Sequence, residues 1–284
     1  MLKILTVTSN DFDKVYPLLT RIPSPIAISQ ETWRRLFSRQ WDGQVEPLGY
    51  VLINEGEIVG YIGLITVHRR IGGQVHEIMD LTSWTVDKKY SGYAIKMLSS
   101  FIHDHSRTLR CFTPAKSVDH IFRRFGFQEL TANLHVIPFW SFNLGLKDFQ
   151  ITFDIQGHQA LLTKEDWQIY YDHHKLPSEH FIFKNGQSYC YVVAKRVWKK
   201  KLPFLHIHYV SDKKLFAHTI GKFTVKICVF LKIFGLIVFE NYLGQEKIKG
   251  IIKLNMSSKP LYRGFDLKPE NMDSLYSEYF VLNF

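Results

Sequence analysis

Two acids and a run of small residues carry the chemistry legible in this chain. Glu77 and Asp80 lie within residues 76–86, HEIMDLTSWTV, whose apolar content is that of a strand buried on both faces. A carboxylate in such a strand has a raised pKa, which suits it to take a proton near neutral pH. The bland alternatives are that Asp80 accepts hydrogen bonds from a neighbouring loop and that Glu77 marks an exposed strand end. Directly after, residues 87–93 (DKKYSGY) are polar and glycine-bearing, so the chain turns there. Ala94, Ile95, Leu98, Phe101, Ile102 and His105 then recur at helical spacing, with Ser91 or Gly92 as the expected cap. A strand feeding a small-residue turn into a helix leaves free N–H groups at the positive end of the helix dipole, a site for phosphate or pyrophosphate.

Other chemistry-bearing residues are sparser. His206 and His208 share one face of a strand at a spacing metals use, yet no cysteine or acidic third ligand stands in register. They are expected to be hydrogen-bonded or surface residues, with no metal. His173, His174, His103 and His105 suggest nothing firm. Residues 196–201 (RVWKKK) form a basic cluster around one aromatic, able to meet nucleic acid or an anionic donor; a solvated turn between strands is the favoured reading. Asp273, Tyr276 and Glu278 either line a cleft or belong to a final strand whose Leu275 and Phe280 fill the core.

The elements that must position these residues are bounded by composition. At 284 residues, 46% hydrophobic and 15% aromatic, the chain is not disordered and can hold one large domain or two ordinary ones. A net charge of +10 favours an anionic ligand or surface: a nucleotide cofactor, a sugar phosphate, nucleic acid or acidic lipid. Cys111, Cys190 and Cys228 are widely spaced in apolar runs, with no CxxC, so buried thiols in a reducing cytoplasm are expected. The start of the chain is too short and too soon polar for a signal peptide. Residues 223–239 are apolar but carry Lys226 and Lys232, and read as a helix ending at Gly235 followed by a strand, with no membrane span.

In order, a strand over residues 2–7 precedes two helices broken at Pro23 and Pro25. A hairpin spans residues 49–65, the strand and helix described above follow, and residues 108–113 form a short strand. A helix over 116–125 ends at Gly126-Phe127, and residues 134–139 complete the first sheet. From about residue 144 the pattern restarts: a helix capped by Thr163, strands at 189–194 and 203–210, a helix over 216–234, a strand at 236–239, and a terminal segment read partly as strand.

The first half resembles the GNAT acyltransferases, which transfer an acyl group from acyl-CoA, usually to an amine. The resemblance covers roughly residues 1–140 and rests on the hairpin, the central strand, the loop and helix over 90–98, and the closing Phe125-Gly126-Phe127. The family's phosphate loop, Arg/Gln-x-x-Gly-x-Gly/Ala, fits with Lys89, Gly92 and Ala94, or in a second register with Ser91, Ala94 and Lys96, where Lys96 departs from the pattern. The resemblance places acyl-CoA against Trp84, Thr85, Val86, Ser91, Gly92, Tyr93, Ala94, Ile95 and Lys96, with a backbone N–H near 84–86 as oxyanion donor. Where many members carry a proton-donating tyrosine this chain has Phe122, leaving Tyr93, Ser117, His120 or water to protonate the thiolate. The second half is similar, in element order, to the degenerate second copy of tandem members.

The expectation is an α/β protein with a GNAT-like mixed, largely antiparallel sheet flanked by helices. Residues 1–143 form the acyl-CoA-binding domain and 144–284 a second GNAT-like half. The function that follows is acyl-CoA-dependent (acetyl-CoA or another acyl-CoA) N-acylation of a small amine, an amino sugar among the candidates, in the cytoplasm, with Asp80 or Glu77 as base. The alternatives are a transferase of the same fold that takes aminoacyl groups from transfer RNA, and a non-catalytic CoA-binding or scaffold protein.

Overall fold

Alternating and continuous apolar runs build two sheets. The computed structural model describes residues 1–24, 27–38, 41, 43–104, 106–130, 133–141, 149–244, 250–254, 256, 258–264 and 267–282. In chain order the elements are β1 (Lys3–Thr6), α1 (Phe12–Leu19), α2 (Gln30–Arg34), β2 (Gln44–Val45), β3 (Gly49–Asn54), β4 (Glu57–Ile71) and β5 (Gln74–Val86). Then come α3 (Ala94–Ile102), β6 (Thr108–Cys111), α4 (Lys116–Arg124), β7 (Gln128–Glu129), β8 (Leu134–Pro138), β9 (Phe149–Thr152) and α5 (Lys164–His173). The rest are β10 (Glu179–Asn185), β11 (Ser188–Lys199), β12 (Leu202–Val210), α6 (Lys213–Leu231), β13 (Gly235–Phe239), β14 (Ile252–Leu254), β15 (Leu261–Arg263) and α7 (Glu278–Val281).

The chain divides into one unit of Met1–Leu130 with Ser258–Phe284 and a second of Thr131–Ser257. The boundary expected after residue 143 lies outside the described residues, as does His105. The first sheet runs β1-β3-β4-β5-β6-β15-β7, with β2 against β4, and β5–β6 is its parallel pair. The second runs β14-β8-β13-β12-β11-β10-β9, with β12–β13 its parallel pair. Each therefore contains an antiparallel meander (β3-β4-β5, β10-β11-β12) that crosses through a helix (α3, α6) to a parallel strand, the connection parallel pairing demands. Both sheets are mixed and largely antiparallel, flanked by helices, as expected.

In the first unit the pleat sorts the residues. Ile62 and Leu64 of β4, Met79 and Leu81 of β5 and Leu109 of β6 meet Met97, Leu98, Phe101 and Ile102 of α3 and Phe122 of α4 in one core. The other face meets α1, α2 and the C-terminal segment: Phe37 stacks on Tyr61 at 5.5 Å, and Trp41 packs on Tyr276 at 5.2 Å. In the second unit Phe181 and Phe183 of β10 pack on Phe223 of α6.

Four expectations are corrected. Residues 134–138 do not complete the first sheet; β8 pairs with β13 and β14 in the second, because alternation marks a strand without naming its partner. Helix α6 ends at Leu231, with Lys232 in the left-handed region (φ 54°), and not at Gly235. That glycine serves β13 instead, where a Cβ would fall 2.4 Å from the Ile137 carbonyl oxygen. The C-terminal segment holds no strand among its described residues; Ser277 accepts the Phe280 N–H at 3.3 Å and caps α7. Finally, residues 88–93 form a 3-10 helix leading into α3, whose N-cap is Tyr93, and Ile95 is exposed.

Candidate functional site

β5 outruns its neighbour. It pairs with β6 only over Ile78–Thr108, Met79–Leu109 and Asp80–Arg110, so residues 81–86 continue with no β6 partner. The register against β4 also jumps there, Thr82 facing Gly63 and Thr85 facing Tyr61, with Ser83 at φ 53°. This bulge inverts the parity of the strand: Met79 and Leu81 point to the α3 core before it, and Trp84 and Val86 do so after it. Trp84 lies 5.6 Å from Phe122, and its buried Nε1 has no hydrogen-bond partner among the described residues.

On the opposite face, Asp80 and Thr82 of β5 and Arg110 of β6 meet the segment that leads into α7. Arg110 is buried with its Nε 3.5 Å from Asp80, and donates to the carbonyls of Asp273 (2.9 Å), Leu275 (2.9 Å) and Tyr276 (3.2 Å). Arg69 pairs with Asp273 at 2.7 Å. These bonds hold Glu278 over the open edge of β5. Its backbone N–H donates to Asp80 at 3.3 Å, and its carboxylate accepts from the hydroxyls of Thr82 and Thr113 and from the Ser83 N–H.

Burial raises the Glu278 carboxyl to about 7 against the lowering by those donors. Asp80 is pushed well above the carboxylate range by burial, which outweighs the Arg110 guanidinium. Glu278, 4% exposed, is therefore an acid that can take or give a proton near neutrality.

The expected site residues divide. Asp80 stands in this cluster, with its oxygens directed to Arg110 and to the Glu278 N–H. Glu77 points to the other face of the strand, paired with Arg107 at 2.8 Å and lying 3.8 Å from His68. Trp84, Thr85 and Val86 are half-buried along the free part of β5, whereas Ser91, Gly92, Tyr93, Ile95 and Lys96 are exposed and Ala94 half-buried. The turn before α3 is held by Arg21–Asp87 (2.8 Å) and by Asn54 donating to Tyr90 (3.2 Å). Its N–H groups are partly spent, Tyr90 donating to Asp87 and Ala94 to Ser91. Glu278 was legible only as an acid near the end of the chain; the signal that raises it is a lone carboxylate among Leu275, Tyr279 and Phe280.

The paired histidines of the second unit are buried, not on the surface. The His206 and His208 rings lie 4.4 Å apart, tilted by 42°; burial lowers His206 to about 3 and holds His208 well below its ordinary value. Among the described residues no group of three His, Cys, Asp or Glu side chains is placed to hold a metal.

No family model and no curated protein matches the sequence. Solved structures do. A GCN5-related N-acetyltransferase from Anabaena variabilis ATCC 29413 superposes with a TM-score of 0.61 at 12% identity, covering 93% of this chain and 72% of that one. One from Kribbella flavida gives 0.61 at 13% identity, over 94% and 71%. A tandem GNAT protein from the clavulanic acid biosynthesis pathway gives 0.52 at 9% identity, over 93% and 98%. The fold of this chain is therefore that of the GCN5-related N-acetyltransferases.

Proposed function

We propose that the chain is an acyl-CoA-dependent N-acyltransferase, working in the cytoplasm on a small amine, with amino sugars the first acceptors to try. The observation that carries this reading is Glu278, a buried carboxyl with a pKa near 7 held by Thr82, Ser83 and Thr113 where β5 loses its partner. The three cysteines are free and buried, which suits a reducing compartment.

An acyl-CoA thioester lying along residues 81–86 would meet strand backbone that has no β6 partner, as a peptide meets a sheet edge. Lys88, Lys89 and Lys96, all exposed, supply positive charge for its phosphates around α3. An acceptor amine attacks the thioester carbonyl and forms the new C–N bond. Glu278 takes its proton, directly or through one water, and a strand N–H stabilises the oxyanion. The C–S bond then breaks, and because Phe122 has no proton to give, the thiolate is protonated by Tyr93 or by water. Asp80 is assigned a positioning part, holding Arg110 and the Glu278 N–H.

Titration calorimetry with acetyl-CoA tests the first half of the proposal, repeated on Gly92→Glu and Ala94→Glu. Micromolar binding lost in both variants is expected, and no binding of acetyl-CoA or a longer acyl-CoA would overturn it. An amine panel with Glu278→Gln tests the second half. Turnover lost in that variant with acyl-CoA binding kept is expected, whereas binding without turnover of any amine would make the protein a CoA-binding module.

A further inference from the structure

One end of the second sheet is exposed, aromatic and basic. Adjacent strand ends meet there: the β11–β12 hairpin, the segment entering β13, and the residues leaving β8. The Phe234 N–H donates to the Pro203 carbonyl at 2.9 Å, and the Phe139 N–H donates to the Phe234 carbonyl at 3.1 Å. Along this continuous edge Trp198 (68% exposed), Leu202, Phe234, Phe139 and Trp140 (63% exposed) present their side chains to solvent. Val229 and Phe230, in the last turn of α6, are exposed as well, Phe230 stacking on Phe153 at 4.5 Å. Residues 139–141, 198–203 and 229–235 contain Lys199, Lys200, Lys201 and Lys232 and no acid.

The hairpin tip is also built against local preference. Lys200 and Lys201 are its two central residues, at φ 50° and 65°, where a two-residue turn ordinarily takes Asn-Gly. Two adjacent lysines held in the left-handed region point to a use for their charge at that position.

We propose that this edge docks the protein on an anionic lipid bilayer, with the aromatic and aliphatic side chains entering the headgroup boundary and the four lysines meeting acidic headgroups. Tryptophan beside lysine suits that boundary, because the ring has an apolar body with a polar edge and the lysine stem reaches back to the surface. Leu202 offers no stacking face to a base, the cations at the hairpin tip are lysines, and the nearby Arg196 is engaged by Glu179 at 3.0 Å, so lipid fits better than nucleic acid. No helix among the described residues is long and apolar enough to cross a membrane, so the contact is peripheral.

The test is co-sedimentation of the full chain with phosphatidylcholine vesicles, with and without phosphatidylserine. Binding to the serine-lipid vesicles alone, weakened by salt and accompanied by a blue shift of tryptophan emission, is expected. Each lysine contributes about fivefold to partition, so Lys200→Asn with Lys201→Gly is expected to weaken it about 25-fold. The same pair of changes places preferred residues in the turn, so the melting temperature should hold or rise. Trp198→Ala is expected to weaken binding at unchanged charge. No binding to phosphatidylserine vesicles, or equal binding by the lysine variant, would overturn the proposal. So would tight binding of a single-stranded oligonucleotide that the lysine variant loses while vesicle binding is absent.

Discussion

In the proposed mechanism the proton that Glu278 takes is also one that bears on stability. Its folded pKa of about 7 lies above the ordinary 4.5, so between those values the folded protein keeps a proton that the unfolded chain has released. The stabilisation from this group is complete below that window, declines as pH rises through it, and is gone above it. Glu278→Gln, which cannot ionise, should therefore melt higher than the natural protein above the window and match it below. If Glu278 is the base proposed above, the same variant is expected to lose about 10²–10⁴-fold in kcat, and the natural protein's rate should climb with pH through the Glu278 pKa. Arg110→Ala leaves Asp80 buried without its cation and three carbonyls without their donor. It should cost about 3–5 kcal/mol in urea unfolding. Asp80 was legible in the sequence because a charge in an apolar strand stands out. Glu278 was legible as an acid that either lines a cleft or belongs to a final strand, but its setting was not, because its partners Thr82 and Thr113 are 196 and 165 residues away along the chain.

At the scale of elements, the site depends on how β4 and β5 fit at the bulge. Gly63 faces Thr82, and a Cβ there would lie 2.7 Å from both the Thr82 methyl carbon and the Tyr61 hydroxyl. Gly63→Ala is expected to destabilise by about 1–3 kcal/mol in urea unfolding, and to lower kcat because Thr82 holds Glu278. The hairpin, the central strand and the helix after it were all legible, since each has a long run of the right period. The bulge was not: a one-residue shift of register leaves no mark in an already apolar strand. The turn before α3 differed for a related reason, since a polar, glycine-bearing run of six residues can close its turns in succession as a 3-10 helix.

For the whole molecule, the first unit is discontinuous in sequence. β15 lies between β6 and β7, and α7 supplies Glu278, yet both follow the second unit along the chain. A chain ending at residue 257 is therefore expected to lose the cooperative unfolding of the first unit while keeping that of the second, as read by hydrogen exchange. In the second unit β12 continues past its parallel pairing with β13 through the buried His208, whose carbonyl accepts from Tyr242 at 2.7 Å, and Tyr209, whose hydroxyl donates to Asp166 at 2.8 Å.

The sequence by itself determined the class and the elements with long periodic runs, since period, turn residues and caps act between neighbours; the strands β9, β10, β14 and β15 and the helix α7 were not among them. It also determined the basic balance and the acid-bearing central strand with the helix behind it. Only the tertiary structure decided which strand enters which sheet, where β5 parts from β6, and that a glutamate from the end of the chain reaches that opening. Those outcomes depend on pairing and burial between residues far apart along the chain, and a buried carboxyl acquires its pKa from surroundings that local sequence does not encode.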